Sequence, residues 1–85
     1  QRVRSTPGAE LLPVDEALYG RLSAWRLDRS RRGAVPAYVV FSNKTIREIA
    51  SLRPRDLNAL SGVWGVGSSR VARYGDEVLA VVNAA

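Results

Sequence analysis

The stretch Leu60-Ser61-Gly62-Val63-Trp64-Gly65-Val66-Gly67-Ser68-Ser69-Arg70 gathers residue types that suit an anion. A short helix, a Gly-Val-Gly turn and a second helix form the pattern of a helix-hairpin-helix. Such a turn needs glycine for two reasons. Glycine takes positive φ at little cost, and it lets a phosphate come close to backbone amides. The second helix then offers free N–H groups and the positive end of its dipole, with Arg70 in its first turn as a charged donor. Gly65 and Gly67 are therefore candidate phosphate-binding positions. The same glycines fit a tight interhelical turn that holds no ligand. A dinucleotide fingerprint fits less well, since it needs a preceding strand and a third glycine in a βαβ unit.

A second constellation is Tyr38 with Lys44 and Arg47. Tyr38 follows Pro36 in a loop-like segment, where a ring can stand out and stack on a base for about 1–3 kcal/mol. Lys44 and Arg47 lie three apart on one predicted helix and so share a face. A Tyr packed in the core with its hydroxyl at the surface explains the residue equally well. Trp64 sits inside the glycine-rich turn, where a half-exposed indole is reasonable; packing against a neighbouring helix is the alternative. Arg21, on the polar side of the first helix, joins Lys44, Arg47 and Arg70 as a candidate phosphate contact. Of the two surfaces, the Tyr38 edge is the expected single-strand site and the glycine turn its competitor.

Other chemistry is restricted. The chain has no cysteine and no histidine, so disulfides and thiolate metal sites are impossible. The Ser-His-Asp and Cys-His arrangements lack their imidazole base, and no carboxylate spacing suggests a pair. No catalytic residue, metal site or cofactor is expected. Thirteen Lys and Arg face eight Asp and Glu, a net charge of +5, and the isoelectric point is near 10.7. That is the electrostatic footprint of a polyanion binder. Twelve of the thirteen are arginine; a GC-rich genome explains that ratio as well as function does, but not the positive sum.

The positioning elements read as helices. Residues 1–13, with two prolines and a glycine but no sustained apolar period, are expected to be a flexible linker. A first helix starts at Asp15, a good N-cap, runs with Leu18, Leu22 and Trp25 on one face, and ends at Gly33. Residues 35–41 have strand propensity, but a lone strand would leave its backbone unpaired, so a helical turn or ordered loop is expected. A helix over residues 45–52, capped by Ser42 or Asn43, buries Ile46, Ile49 and Ala50. Pro54 can open the next, which carries Leu57 and Leu60. A helix over residues 68–74 is punctuated by Gly75, and Asp76 caps a last one bearing Leu79 and Val82. The expected architecture is all-α, a compact orthogonal bundle of about five short helices over residues 14–85. Leu22, Trp25, Phe41, Ile49 and Leu60 are the expected core. The longest apolar run, Ala37-Tyr38-Val39-Val40-Phe41, is too short to span a membrane.

In order and spacing, Leu18-Tyr19, Leu22, Trp25-Arg26, Val35-Pro36-Ala37-Tyr38-Val39-Val40-Phe41, Thr45-Ile46, Ile49-Ala50, Pro54, Leu60, Gly65-Val66-Gly67 and Tyr74-Gly75 resemble the HRDC domain, the helicase and RNase D C-terminal module. Three positions depart from the usual pattern: Ser30 where Ala is common, Asn43 where Asp is frequent, and Trp64 where a polar residue is more usual. The resemblance implies a bundle of about five helices attached to a catalytic engine. RecQ-type helicases, some superfamily-one helicases and RNase D carry such modules, and their usual role is auxiliary binding of single-stranded or structured nucleic acid. Fold transfers more safely than function.

The expected function is therefore weak, largely sequence-independent DNA binding by a non-catalytic accessory domain of a DNA helicase. The alternative is protein interaction, or docking onto the helicase core of its own parent chain. A steep salt dependence, from counterion release, distinguishes the first. The start at Gln1 suggests an excised fragment. A monomer in the bacterial cytoplasm or nucleoid is the expected setting.

Overall fold

Asp15 opens the first helix by accepting the Leu18 N–H on its side chain at 3.0 Å, which satisfies one of the helix's orphan donors. A computed structural model describes residues 12–84, and the linker expected over residues 1–13 lies almost wholly outside them. Five helices follow: α1 (Glu16–Arg32), α2 (Ala37–Val40), α3 (Asn43–Leu52), α4 (Leu57–Ser61) and α5 (Gly67–Asn83). No strand occurs among the described residues. α1 packs on α2, α3 and α5, and α4 packs on α5. The core takes Leu18 and Leu22 from α1, Val40 and Phe41 from the end of α2, Ile46, Ile49 and Ala50 from α3, Leu60 from α4, and Tyr74 and Val78 from α5. Among the described residues no helix is long and apolar enough to cross a membrane.

Several elements differ from the sequence expectation. Gly75 does not break the last helix, which runs unbroken for 17 residues, and Asp76 lies inside it rather than capping it. A Cβ at Gly75 would come within 2.7 Å of Leu57 Cδ2 and 3.4 Å of Val71 Cγ1. The glycine is there so that α4 can press against α5, and this close packing offsets its helix penalty of about 1 kcal/mol. α1 fills the 17 residues between Asp15 and Gly33 as expected, and α2 and α4 are short, with 4 and 5. Pro54 does not enter α4. Asp56 caps that helix instead, its Oδ1 accepting the Ala59 N–H at 2.7 Å. At α3 the choice between Ser42 and Asn43 resolves to Ser42, which accepts the Thr45 N–H, while Asn43 is already helical. Ser30 is buried, and its hydroxyl donates to Leu27 O at 2.8 Å, so the exchange from Ala leaves no unmet donor.

Trp25 is half-buried rather than buried. Its ring meets Phe41 and Tyr74 at centroid distances of 6.0 and 5.8 Å, while Nε1 reaches outward and donates to Glu77 Oε1 at 3.0 Å. An indole must place its N–H where a partner is available, and that holds one edge of the ring near the surface. Arg29 and Arg32 converge on the same carboxylate, at 3.2 and 3.7 Å. Burial pushes the Glu77 carboxyl up. The hydrogen bonds from Trp25 and Arg29, with the charges of Arg29 and Arg32, outweigh it and hold the group below the ordinary glutamate range. This joint fastens α1 to α5.

Candidate nucleic-acid interface

α2 has to hold Tyr38, yet four residues rich in β-branched side chains cannot sustain a helix alone. Pro36 sets the entry at φ −62. Arginines from two other helices then take the carbonyls at its exit. Arg70 of α5 donates from Nε to Val40 O at 2.7 Å and from Nη2 to Val39 O at 3.2 Å. Arg26 of α1 donates to Phe41 O at 2.9 Å and to Asn43 Oδ1 at 2.7 Å. Held in this way, the segment buries Val40 and Phe41 and leaves Tyr38 70% exposed, the most exposed of the large apolar side chains described, beside a half-exposed Val39.

A depression of about 220 Å³ is lined by Val39, the residue that follows Tyr38, together with Ser69, Arg70, Arg73 and Tyr74. Its floor is Tyr74, whose ring packs on Phe41 behind it at 5.8 Å. Ser69 and Arg73 are exposed. Arg73 makes no ion pair or side-chain hydrogen bond among the described residues. An exposed ring, a polar-rimmed hollow and an unpaired guanidinium together suit an unstacked base with its backbone.

The glycine turn is built as its residue types suggest. Gly65 has φ +83 and Gly67 φ +66, both in the region that glycine favours. At Gly65 a side chain is also excluded by space, because a Cβ would overlap the Thr45 hydroxyl. That hydroxyl donates to Trp64 O at 3.1 Å and ties the turn to the start of α3. No side chain caps α5 at Gly67.

The structure rearranges the two surfaces read from the sequence. Arg70, assigned to the turn, reaches across to α2. Lys44, assigned to the Tyr38 edge, sits 5.4 Å from the centroid of the half-buried Trp64 ring and 3.1 Å from Glu48 Oε2. Trp64 thus packs beside a cation at the turn. Arg47 is exposed on α3. Arg21 does not belong with the others. Its guanidinium reaches Ala84 O at 3.4 Å, beyond the far end of α5, about 20 Å along that helix from Arg70 at 1.5 Å per residue. Ser69 and Arg73 were not singled out from the sequence, although Arg70 and Arg73 stand three apart on one helix, the spacing that puts side chains on a common face.

A family model described as the HRDC domain matches residues 15–82. The ATP-dependent DNA helicase UvrD2 of Mycobacterium tuberculosis strain H37Rv is 44% identical over 70 residues, covering 82% of this chain and 10% of that protein. The ATP-dependent DNA helicase RecQ of Bacillus subtilis is 30% identical over 76 residues, 89% of this chain and 13% of that protein. Among solved structures, the D. radiodurans RecQ HRDC domain 3 superposes with a TM-score of 0.79 at 32% identity, covering 81% of this chain and 91% of that one. The chain spans about a tenth of the length of the first of these curated relatives.

Proposed function

Since the chain belongs to the HRDC domain family, we propose that it is the non-catalytic, auxiliary nucleic-acid-binding module of a DNA helicase, working in the cytoplasm or nucleoid. It binds single-stranded or structured DNA weakly and largely without regard to sequence. The observation that carries this reading is Tyr38, an aromatic ring left 70% exposed by a segment whose neighbours Val40 and Phe41 are fully buried. A net charge of +5 supplies the long-range attraction, and stacking on a π-face is indifferent to base identity. Affinity in the micromolar range or weaker is expected, as for other non-specific contacts.

Fluorescence anisotropy with a labelled single-stranded oligonucleotide tests it. The Tyr38→Ala variant should keep its fold and lose single-strand affinity more than duplex affinity. Equal affinities of variant and parent would remove Tyr38 from the site. The docking alternative draws on the same surface, because Tyr38 and Val39 together expose apolar area. Binding to a helicase core through that area would vary little with salt, whereas DNA binding weakens steadily as salt rises.

A further inference from the structure

We propose that, within the site just described and resting on that reading, the phosphate beside the base stacked on Tyr38 is received by Arg73 and Ser69, while Arg70 acts as a positioning residue for the segment that carries the ring. Arg70 hydrogen-bonds the carbonyls of the two residues that follow Tyr38 and bears the right charge. Two of its five N–H groups are committed to the backbone of α2, however: Nε lies 2.7 Å from Val40 O and Nη2 3.2 Å from Val39 O. Those carbonyls close a four-residue helix and have no onward helical partner. Losing the guanidinium would strip them and release the segment that carries the ring.

Arg73 is placed for the opposite role. It lies one turn further along α5, exposed, with no ion pair or side-chain hydrogen bond among the described residues. Arg31, Arg47 and Arg55 share that condition, but of the four only Arg73 lines the depression with Val39, the residue that follows Tyr38. Ser69 adds a hydroxyl donor on the same rim. At about 30 Å³ of liquid volume per water, a hollow of about 220 Å³ accommodates a phosphate group together with hydrating water.

Salt-dependent binding of oligothymidylate, with amide hydrogen exchange of the free protein, separates the two roles. Each phosphate contact on a single strand contributes about 0.7 to the slope of log affinity against log salt. Arg73→Gln should weaken binding about three- to tenfold at low salt, reduce the slope by roughly that one contact, and leave exchange at Val39 and Phe41 as in the parent. Arg70→Gln should weaken binding with the parent's slope and accelerate exchange at Val39 and Phe41. Arg70→Lys should behave like Arg70→Gln, because lysine has one nitrogen where the two bonds come from Nε and Nη2 of a planar fork. If Arg70→Gln flattens the slope and Arg70→Lys restores affinity, Arg70 is a phosphate ligand and the inference is overturned. If Arg73→Gln leaves the slope unchanged while Tyr38→Ala still weakens binding, the inference falls and the site stands. If neither Arg73→Gln nor Tyr38→Ala has any effect, the site falls and the inference with it.

Discussion

At the joint between α1 and α5, Trp25, Arg29 and Arg32 converge on Glu77. Between α2 and α5, Arg70 and Arg73 line a hollow with Val39, the residue that follows Tyr38, and among the described residues no carboxylate lies within ion-pairing distance of either arginine. Both regions pair aromatic rings with guanidinium groups, and both use Tyr74, which stacks under Arg29 at 5.1 Å in the first and floors the hollow in the second. The carboxylate makes the difference. With Glu77 present, and Asp28 on Arg32, the cations are paired and the rings of Trp25 and Tyr74 pack against Phe41, so the region fastens two helices. Without one, the charge stays available and the ring stays outside. Arginine enrichment in a small basic domain is therefore not a measure of ligand contacts, since Arg26, Arg29, Arg32, Arg53 and Arg70 all have partners within the protein.

Substitutions can break the comparison at either region or at the core beneath both. The largest effect is expected at Phe41, which is 1% exposed and touches both Trp25 and Tyr74. Phe41→Ala should cost about 3–5 kcal/mol in chemical denaturation, enough to unfold a marginal domain. Half-buried Trp25→Ala should cost less; equal losses would mean that the indole is as fully part of the core as the phenyl ring. Gly65→Ala should come next, at about 2–3 kcal/mol, from a left-handed residue that now carries a side chain and a displaced Thr45 to Trp64 hydrogen bond. It tests whether the turn is fixed by geometry rather than by a ligand, since the loss should appear with no DNA present.

Tyr38→Ala should leave the melting temperature nearly unchanged and remove about 1–3 kcal/mol of single-strand affinity. The reverse pattern, lost stability with kept affinity, would make Tyr38 another fastening residue. Glu77→Gln should do least: a few tenths to 1 kcal/mol of stability, because the ion pairs are partly exposed, with no change in DNA affinity. The sign of its pH dependence is set. Glu77 titrates lower in the folded state, so its stabilisation is fully present above the unfolded glutamate value of about 4.3 and is lost as pH falls below it through the folded value. Denaturation of Glu77→Gln in acid should therefore show a flatter pH profile than the parent.

What was legible in the sequence was mostly what is settled locally. Asp15 and Gly33 bracket α1 as their capping chemistry requires, and the spacing of Ile46, Ile49 and Ala50 gives α3 its buried face. The failures occurred where tertiary contacts decide. Gly75 reads as a stop, but helix packing against Leu57 overrides the local preference. At α2 an isolated strand could be excluded, yet the arginines that hold it helical come from Arg26, 15 residues before Phe41, and Arg70, 30 residues after Val40. For the site, the exposure of Tyr38 was one of two balanced outcomes. Arg70 was read by its charge, and only its hydrogen bonds show that the charge is directed inward. Arg73 had a legible signal, its spacing from Arg70, but nothing in the sequence says that it lacks a partner.

The central claim is that the face without a carboxylate is the one that binds DNA. An amide chemical-shift titration of the folded domain with a short single-stranded oligonucleotide tests it most directly. The account predicts shifts that grow with oligonucleotide on Tyr38, Val39, Ser69 and Arg73, shrink as salt is added, and leave Trp25, Arg29 and Glu77 in place. Shifts confined to Gly65, Val66 and Gly67, or centred on the Glu77 joint, would contradict it.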